Sequence, residues 1–205
     1  KDYSNSIWII NNDITKVTYN NGFTSNTKSF GNSGYVAAMC QSPKNTELYW
    51  VLDNDKVYKS TNGGESFAEP TTVPMNASIS GGKVRGWAFD DNTILFAGLN
   101  SDGATSILST DGGATFEAIP GLPNVLVRWM QGDKDGTVAM ASTSSGPYLF
   151  DLAQKQWFDA AGSYEEVSPY FNGHWGAYIP ATNTFRFSTW GYGVWDFALG
   201  EDSEP

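Results

Sequence analysis

Three cationic side chains in this sequence each lie close to a tryptophan, in Arg85-Gly86-Trp87, Arg128-Trp129 and His174-Trp175. A cation beside an aromatic ring suits a carbohydrate or an anionic group, because the ring offers a stacking face and the cation offers hydrogen-bond donors. Tyr35 occupies the corresponding position in the sequence repeat that precedes the one with Arg85 and Trp87. The same residues also suit packing, since tryptophans fill cores and an arginine can bind backbone carbonyls. The sequence leaves both roles open.

Asp55 and Asp102 are the candidate catalytic carboxylates. Each lies in a short polar loop, Asp53-Asn54-Asp55 in one case and Asn100-Ser101-Asp102-Gly103 in the other. A glycosidase needs two carboxylates across a cleft, one as acid and one as nucleophile or base. Sequence does not give their separation, and short Asp-rich loops are also ordinary turns. Tyr192, in a similar loop, is a further candidate for ligand binding.

Other kinds of chemistry find less support. His174 is the only histidine, and no serine or cysteine motif partners it, so we predict local hydrogen bonding rather than base catalysis. The single Cys40 excludes an internal disulfide and a cysteine-built zinc site. The run Asp133-Lys134-Asp135-Gly136 lacks the distal glutamate of a calcium loop and fits a hairpin better. We therefore predict neither a metal nor a cofactor.

Composition limits the partners. The chain carries 22 acidic and 12 basic residues, and the resulting net charge of −10 disfavours nucleic acid as a partner. No apolar run is long enough to span a membrane. A hydrophobic content of 40%, with eight tryptophans, is typical of a globular chain with a sizeable core.

The elements that must position these residues are marked by a repeated octapeptide. Ser60-Thr61-Asn62-Gly63-Gly64-Glu65-Ser66-Phe67 recurs as Ser109-Thr110-Asp111-Gly112-Gly113-Ala114-Thr115-Phe116, with a looser copy at Thr18-Tyr19-Asn20-Asn21-Gly22-Phe23-Thr24. An Asn or Asp that accepts backbone bonds, followed by glycines, predicts a tight hairpin turn with the closing aromatic packed beneath it. The residues we assign to this structural role are Ser60, Asn62, Gly64, Phe67, Ser109, Asp111, Gly113 and Phe116.

A second signal gives the period. A turn dipeptide precedes an apolar run at Asn5-Ser6, Asn45-Thr46, Asn92-Thr93, Gly136-Thr137 and Asn183-Thr184. A period of about 40–50 residues that holds four short strands is typical of β-propeller blades. We therefore predict an all-β fold of four-stranded antiparallel blades, about five in this chain, with boundaries at 1–31, 32–73, 74–122, 123–163 and 164–199 and an acidic tail at 200–205.

Each blade divides into strands. The first and last blades are partial, since the first lacks its innermost strand and the last its outermost. Either the five units close a ring by unusual strand sharing, or they are the C-terminal part of a larger propeller, which we favour because open sheet edges are avoided. The predicted strands are Ile7–Ile10, Thr15–Tyr19 and Thr27–Phe30; Tyr35–Gln41, Leu48–Leu52, Lys56–Ser60 and Ser66–Glu69; Lys83–Phe89, Ile94–Leu99, Thr105–Ser109 and Phe116–Ile119; Val125–Gln131, Val138–Thr143, Tyr148–Asp151 and Gln156–Asp159; and His174–Ile179, Phe185–Trp190 and Val194–Ala198.

The octapeptides resemble the Asp-box, or BNR repeat, of sialidases, sortilin-type receptors and xyloglucan-cleaving glycosidases of glycoside hydrolase family 74, all of which are β-propellers. The ending Gly191-Tyr192-Gly193-Val194-Trp195 resembles the closing segment of such propellers. The resemblance implies a fold more than an activity. It also implies that ligands lie on the face opposite the Asp-box turns, where the candidates above would collect.

Three functions follow as expectations. A non-catalytic propeller that binds a glycan or a protein, in a secreted, cell-surface or virion assembly, needs only the fold. A xyloglucanase-like endo-glucanase, of which this chain would be the C-terminal portion, is the alternative. A sialidase is the least favoured, because its arginine triad would need Arg85, Arg128 and Arg186, and Arg186 lies within a predicted strand. The expected partners are a glycan or protein ligand and the remaining blades of the propeller.

Overall fold

The computed structural model describes residues 6–19, 21–30, 36–77, 83–161, 173–191 and 193–200. In this part of the chain the structure is all β, with five antiparallel sheets, one two-stranded ladder and a short 3-10 turn at Pro180–Thr182. No helix among these residues has the length and apolar character that crossing a membrane requires.

The sheets follow one another along the chain, and we number them I to V. Sheet I contains β1 (Ser6–Ile10), β2 (Ile14–Tyr19) and β3 (Phe23–Lys28); sheet II contains β4 (Val36–Gln41), β5 (Tyr49–Asp53), β6 (Lys56–Ser60) and β7 (Thr71–Thr72); sheet III contains β9 (Val84–Ala88), β10 (Ile94–Gly98), β12 (Ser106–Ser109) and β13 (Glu117–Ala118); sheet IV contains β14 (Val127–Gly132), β15 (Val138–Thr143), β16 (Gly146–Asp151) and β17 (Gln156–Asp159); and sheet V contains β18 (Gly173–Ile179), β19 (Thr184–Thr189) and β20 (Gly193–Ala198). The separate ladder pairs β8 (Met75–Asn76) with β11 (Asp102–Gly103).

Sheets III, IV and V have the predicted strands to within two residues at each end. Two strand predictions were wrong. In sheet I the third strand is β3 rather than Thr27–Phe30, because Asn21 and Gly22 both adopt positive φ and return the chain at once, pairing Tyr19 with Phe23. The β8–β11 ladder was not predicted.

The outermost strand of sheet II is β7 rather than Ser66–Glu69. The turn of this sheet holds Ser66, whose backbone N–H donates to Asn62 Oδ1 at 3.0 Å. Ala68 N–H then bonds Lys59 O at 2.9 Å, but Pro70 has no N–H to continue the ladder. Regular pairing with β6 therefore resumes only at Thr71.

The loops that connect the strands lie at the two ends of each sheet, where its strands begin and end. We call the end that holds the glycine-rich turns of sheets II and III the turn edge. It also holds the loops between the first and second strands. Backbone bonds join the two kinds of loop there: Gly63 N–H donates to Glu47 O at 3.0 Å, Gly112 N–H to Asn92 O at 2.9 Å and Leu152 N–H to Thr137 O at 3.0 Å. The opposite edge holds the loops between the second and third strands.

Neighbouring sheets pack face to face, with β4, β9, β14 and β18 side by side. Among the described residues, four clusters of buried apolar side chains each span one junction between consecutive sheets. At every junction a tryptophan of one sheet lies against a glycine of the next, leaving no room for a Cβ atom: Trp8 on Gly64, Trp50 on Gly113, Trp87 on Gly132 and Trp129 on Gly176. Each of sheets I to IV therefore packs a tryptophan ring against the sheet that follows it.

The first two junctions are built alike. Trp8 pairs across the sheet with Lys16, as Trp50 does with Lys59. In both pairs the ammonium Nζ lies 5.7 Å from the indole centroid. Lys16 Nζ also donates to Gly63 O at 2.9 Å. The repetition shows that β1 and β2 stand in sheet I where β5 and β6, the second and third strands, stand in sheet II.

The blade boundaries of the sequence analysis and its acidic tail stay predictions. Tyr35, Tyr192 and most of the tail, residues 201–205, lie outside the described residues.

Candidate functional site

Arg85 uses its guanidinium group within the protein frame. Its Nε donates to Arg128 O at 2.9 Å and its Nη1 to Val84 O at 2.8 Å, so it links the innermost strands of sheets III and IV. Burial and the neighbouring Arg128 lower the pKa of Arg85 below its usual value. The sequence left two roles open for this arginine, ligand binding and hydrogen bonding to backbone carbonyls. The contacts of Arg85 are of the second kind.

The three cation–tryptophan pairs do not occupy one position in their sheets. Irregular pairing interrupts β14 at Arg128 and β18 between Gly173 and Gly176, but β9 is regular. As a result Trp129 pairs with Ser142 near the opposite edge, whereas Trp87 pairs with Leu95 further along the strand. Sequence spacing cannot show a bulge, which is why the pairs looked equivalent.

Trp87 and Trp129 pack between sheets. Trp129 is only 7% exposed, and its ring lies 6.4 Å from that of Phe185, edge to face, across the junction of sheets IV and V. Trp87 is half-buried against Gly132 and faces a cleft of about 230 Å3 at the turn edge. Neither ring lies at the opposite edge with a free face.

Sheet V presents exposed aromatic rings at the opposite edge. His174 and Trp190 stack at 5.2 Å between ring centroids, with an angle of 33° between the planes. Trp190 is 70% exposed and Trp175 is 75% exposed, and Val194 and Trp195 also reach solvent. The backbone of Trp175 is fixed by Ser188, whose Oγ accepts from Trp175 N–H and donates to Trp175 O, both at 3.2 Å.

We call His174, Trp175, Trp190 and Val194 the aromatic surface. Trp195 follows Val194 in β20 and points to the other face of sheet V, because it pairs with the buried Phe187. The sequence reasoning selected His174 and Trp175 and did not select Trp190 or Val194 as site residues. The density of aromatic residues between Trp190 and Trp195 is the signal that could have found them.

The two candidate carboxylates each have a local partner. Asp55, in the turn after β5, lies 3.9 Å from Lys56 Nζ, and both side chains are partly exposed. Asp102, in β11, is exposed and accepts from its neighbour's N–H, Gly103, at 2.8 Å. Asp53, which the sequence analysis did not select, is a buried carboxylate at the end of β5, and its charge helps to raise the pKa of Tyr58 after the larger effect of burial.

The two glycine-rich turns show why their residues are structural. In the turn of sheet III, Asp111 Oδ1 accepts from Ser109 Oγ at 2.8 Å and from Thr115 N–H at 2.9 Å, and Oδ2 accepts from Thr115 Oγ1 at 2.6 Å. These bonds, those of Thr115 first, lower the pKa of Asp111 to about 2. In the turn of sheet II, Asn62 makes the matching bonds to Ser60 and Ser66.

Metal binding and thiol chemistry gain no support from the described residues. Among them, no three His, Cys, Asp or Glu side chains come together as a metal site would need. Cys40 is buried, and burial raises the pKa of its thiol, which disfavours the reactive thiolate.

No protein-family model matches the chain, and no curated protein matches it. Solved structures do. An ancestral GH74 enzyme matches with a TM-score of 0.70 and 14% identity, over 100% of this chain and 31% of that one. The GH74 xyloglucanase from Xanthomonas campestris matches with a TM-score of 0.63 and 12% identity, over 97% and 36%.

The chain is a β-propeller. The predicted fold class is therefore confirmed. A third match is YCF48 bound to D1 peptide, with a TM-score of 0.54 and 14% identity, over 90% of this chain and 60% of that one. At such identities the likeness shows the fold alone. The chain spans about a third of the length of the two GH74 structures.

Proposed function

We propose that this propeller is a non-catalytic binding module whose ligand, a glycan or a protein, contacts the aromatic surface of sheet V. The observation that carries the proposal is the exposure of Trp175 and Trp190 at the edge opposite the turns. The ring of Trp190 also stacks on His174. Exposed apolar patches on soluble proteins mark sites of interaction more often than chance placement. The setting we propose is a secreted, cell-surface or virion assembly.

The chemistry of the surface suits such ligands. A free indole face stacks on a sugar ring or on a side chain of a partner, and tryptophan is enriched among the residues that dominate binding energies. Near these rings, Arg186 and Asp196 form a two-point ion pair, with Nε–Oδ1 at 2.7 Å and Nη2–Oδ2 at 2.8 Å, which offers a polar rim. Tyr192, which follows Gly191, and Tyr35 stay candidates for the same ligand.

The other candidates take a framing role in this proposal. Arg85 links sheets III and IV by hydrogen bonding to Arg128 O, Trp129 packs between sheets IV and V, and Trp87 packs at the junction of sheets III and IV. Arg128 stays a candidate for an anionic ligand, since it is half-buried beside Trp129.

Isothermal titration of the chain against xyloglucan oligosaccharides, sialyl-oligosaccharides and a peptide panel tests the proposal. We expect Trp190→Ala to weaken whichever probe binds by about 1–3 kcal/mol, without a change in melting temperature. Phe23→Ala is the matched control, because Phe23 is 80% exposed but lies on sheet I, and it should bind as the unmodified chain does. Equal binding by the Trp190 and Phe23 variants would remove the aromatic surface from the site.

A glycoside hydrolase portion is the second candidate. The two GH74 matches support it, because one is an ancestral GH74 enzyme and the other is a xyloglucanase. Release of reducing sugar from xyloglucan, abolished by Asp55→Asn or Asp102→Asn, would favour this candidate over the binding module. A sialidase is less well supported, since Arg85 and Arg186 are engaged with carbonyls and with Asp196, and a fluorogenic sialoside tests it in the same assay.

A further inference from the structure

Sheet I has two faces of different surroundings. Trp8, Ile14 and Lys16 face sheet II, and Ile14 is fully buried there. On the other face, Ile7 is 65% exposed and Ile9 is 52% exposed, and Tyr19 and Phe23 stack at 5.1 Å between centroids in solvent. We call this second face the open face of sheet I; it also holds Val17, which pairs with Ile7.

The register of the sheets identifies the positions of the two isoleucines. Trp8 corresponds to Trp50, because each pairs with a lysine that lies over its ring. Ile7 and Ile9 therefore correspond to Tyr49 and Val51. In sheet III, where Ser109 begins the turn as Ser60 does in sheet II, the same positions hold Ile94 and Phe96.

At these positions sheets II and III receive the sheet before them. Tyr49 contacts Trp8, with ring centroids 5.3 Å apart, and Val51 packs in one cluster with Ile14. Ile94 and Phe96 are fully buried in the cluster that sheet II shares with sheet III. Ile7 and Ile9 are apolar like the residues that pack against the preceding sheet in sheets II and III. Among the described residues, however, no sheet packs against them.

We propose that the open face of sheet I binds a further propeller sheet, carried on polypeptide outside Lys1–Pro205, which delivers an apolar face as sheets I to IV do to their successors. The interface would continue the series of junctions already present in the chain. Moving Ile7 and Ile9 from water into such a junction would favour binding, because apolar surface would be removed from solvent.

Sheet V of this chain, or of a second copy, is a poorer occupant. The cross-strand pair that each sheet delivers is Trp8–Lys16 in I, Trp50–Lys59 in II, Leu95–Leu108 in III, Met140–Leu149 in IV and Arg186–Asp196 in V. In sheets I to IV the pair contains at least one large apolar side chain, and in sheet V both members are charged. Placing Arg186 and Asp196 against an isoleucine face would remove their water with no new partner in return.

Photo-crosslinking in the cells that make the protein tests the inference. p-Benzoylphenylalanine is placed at position 23, where Phe23 is aromatic, exposed and on the open face. We expect it to label a peptide outside Lys1–Pro205 with an alternating strand pattern, identified by mass spectrometry. The same group at position 49 is the control with a known answer, since Tyr49 faces Trp8 and must label Ser6–Ile10.

A double variant makes the result specific. Ile7→Lys with Ile9→Lys should leave the melting temperature of the isolated chain unchanged, because both side chains are exposed, and should lower the crosslink yield from position 23 about tenfold or more. Labelling within Gly173–Ala198, of the same or of a second copy, would overturn the inference. So would the absence of any product from position 23 when position 49 gives its own.

Discussion

Trp129 and Trp175 occupy corresponding positions in sheets IV and V and have opposite surroundings. Each lies at a bulge of the innermost strand, and each lies beside a serine of the next strand, Ser142 or Ser188. Yet Trp129 is 7% exposed and Trp175 is 75% exposed. The difference is Gly176, which lies under the Trp129 ring, whereas no following sheet among the described residues covers Trp175.

This contrast shows what decides burial in a propeller. The residue type and its place in the strand are the same in both cases, so neither fixes whether the ring packs or stays available. The following sheet does. An aromatic pattern in the sequence therefore predicts where two sheets can pack together. Where no following sheet packs on the aromatic ring, a ligand or a further sheet can bind to it.

The largest expected effect tests the contrast directly. Trp129→Ala should lower the free energy of unfolding by about 3–5 kcal/mol, because it opens a cavity between sheets IV and V. Trp175→Ala should change it by less than about 0.5 kcal/mol, as exposed positions do. Urea denaturation of both variants at neutral pH measures the difference, and a similar loss in the two would show that Trp175 is buried in solution.

A second pair sharpens the role of the receiving glycines. Gly63 and Gly64 both have positive φ, +68° and +81°, so alanine at either costs about 1–2 kcal/mol in backbone strain. At Gly64 the new Cβ would also meet the Trp8 ring, adding about 1–3 kcal/mol, whereas at Gly63 the nearest atom is Lys16 Nζ at 3.6 Å. In thermal melts, Gly64→Ala should therefore have a lower melting temperature than Gly63→Ala. Adding Trp8→Leu should restore part of the lost melting temperature in Gly64→Ala and none of it in Gly63→Ala.

The smallest effect concerns the two turns, which differ by Asp111 in one and Asn62 in the other. The folded state holds the pKa of Asp111 at about 2, below the value of an unfolded aspartate, so its contribution to stability is present above about pH 4 and is lost as the pH falls to 2. Asp111 is largely exposed, so screening limits the contribution to less than about 1 kcal/mol. Asp111→Asn should flatten this part of the pH–stability curve, measured by denaturation between pH 2 and 5. An unchanged slope would place the acid sensitivity elsewhere.

Much of the fold could be predicted because its signals are local. The turns at Asn62 and Asp111 bond their own backbone, and the strands that follow alternate or run apolar, so spacing alone locates sheets III to V. The third strand of sheet I and the fourth of sheet II were misplaced because their positions depend on a two-residue return at Asn21-Gly22 and on the missing N–H of Pro70.

The site was harder to predict, because it depends on contacts between sheets that are distant in sequence. Arg85 and Arg128 looked like a recurrent pair, yet the carbonyl of Arg128 binds the guanidinium of Arg85. Trp87 and Trp129 looked equivalent, and a bulge at Arg128 separates their positions. Of the three cation–tryptophan pairs, only His174-Trp175 presents an exposed ring where a ligand surface was expected, and sequence offered nothing to distinguish it from the other two.

Each tryptophan that packs on a glycine joins one sheet only to the sheet that follows it. This arrangement predicts the order in which the sheets unfold locally. Interactions of this kind act between nearest neighbours only, so the stability of each sheet depends on the two beside it, as in a one-dimensional array. Sheet III has a neighbour on both sides and the fully buried Ile94, Leu95 and Phe96 at its centre, so its amide protons should exchange last. Fraying should start at the two ends, and a partner that covers either end would slow exchange across the whole array.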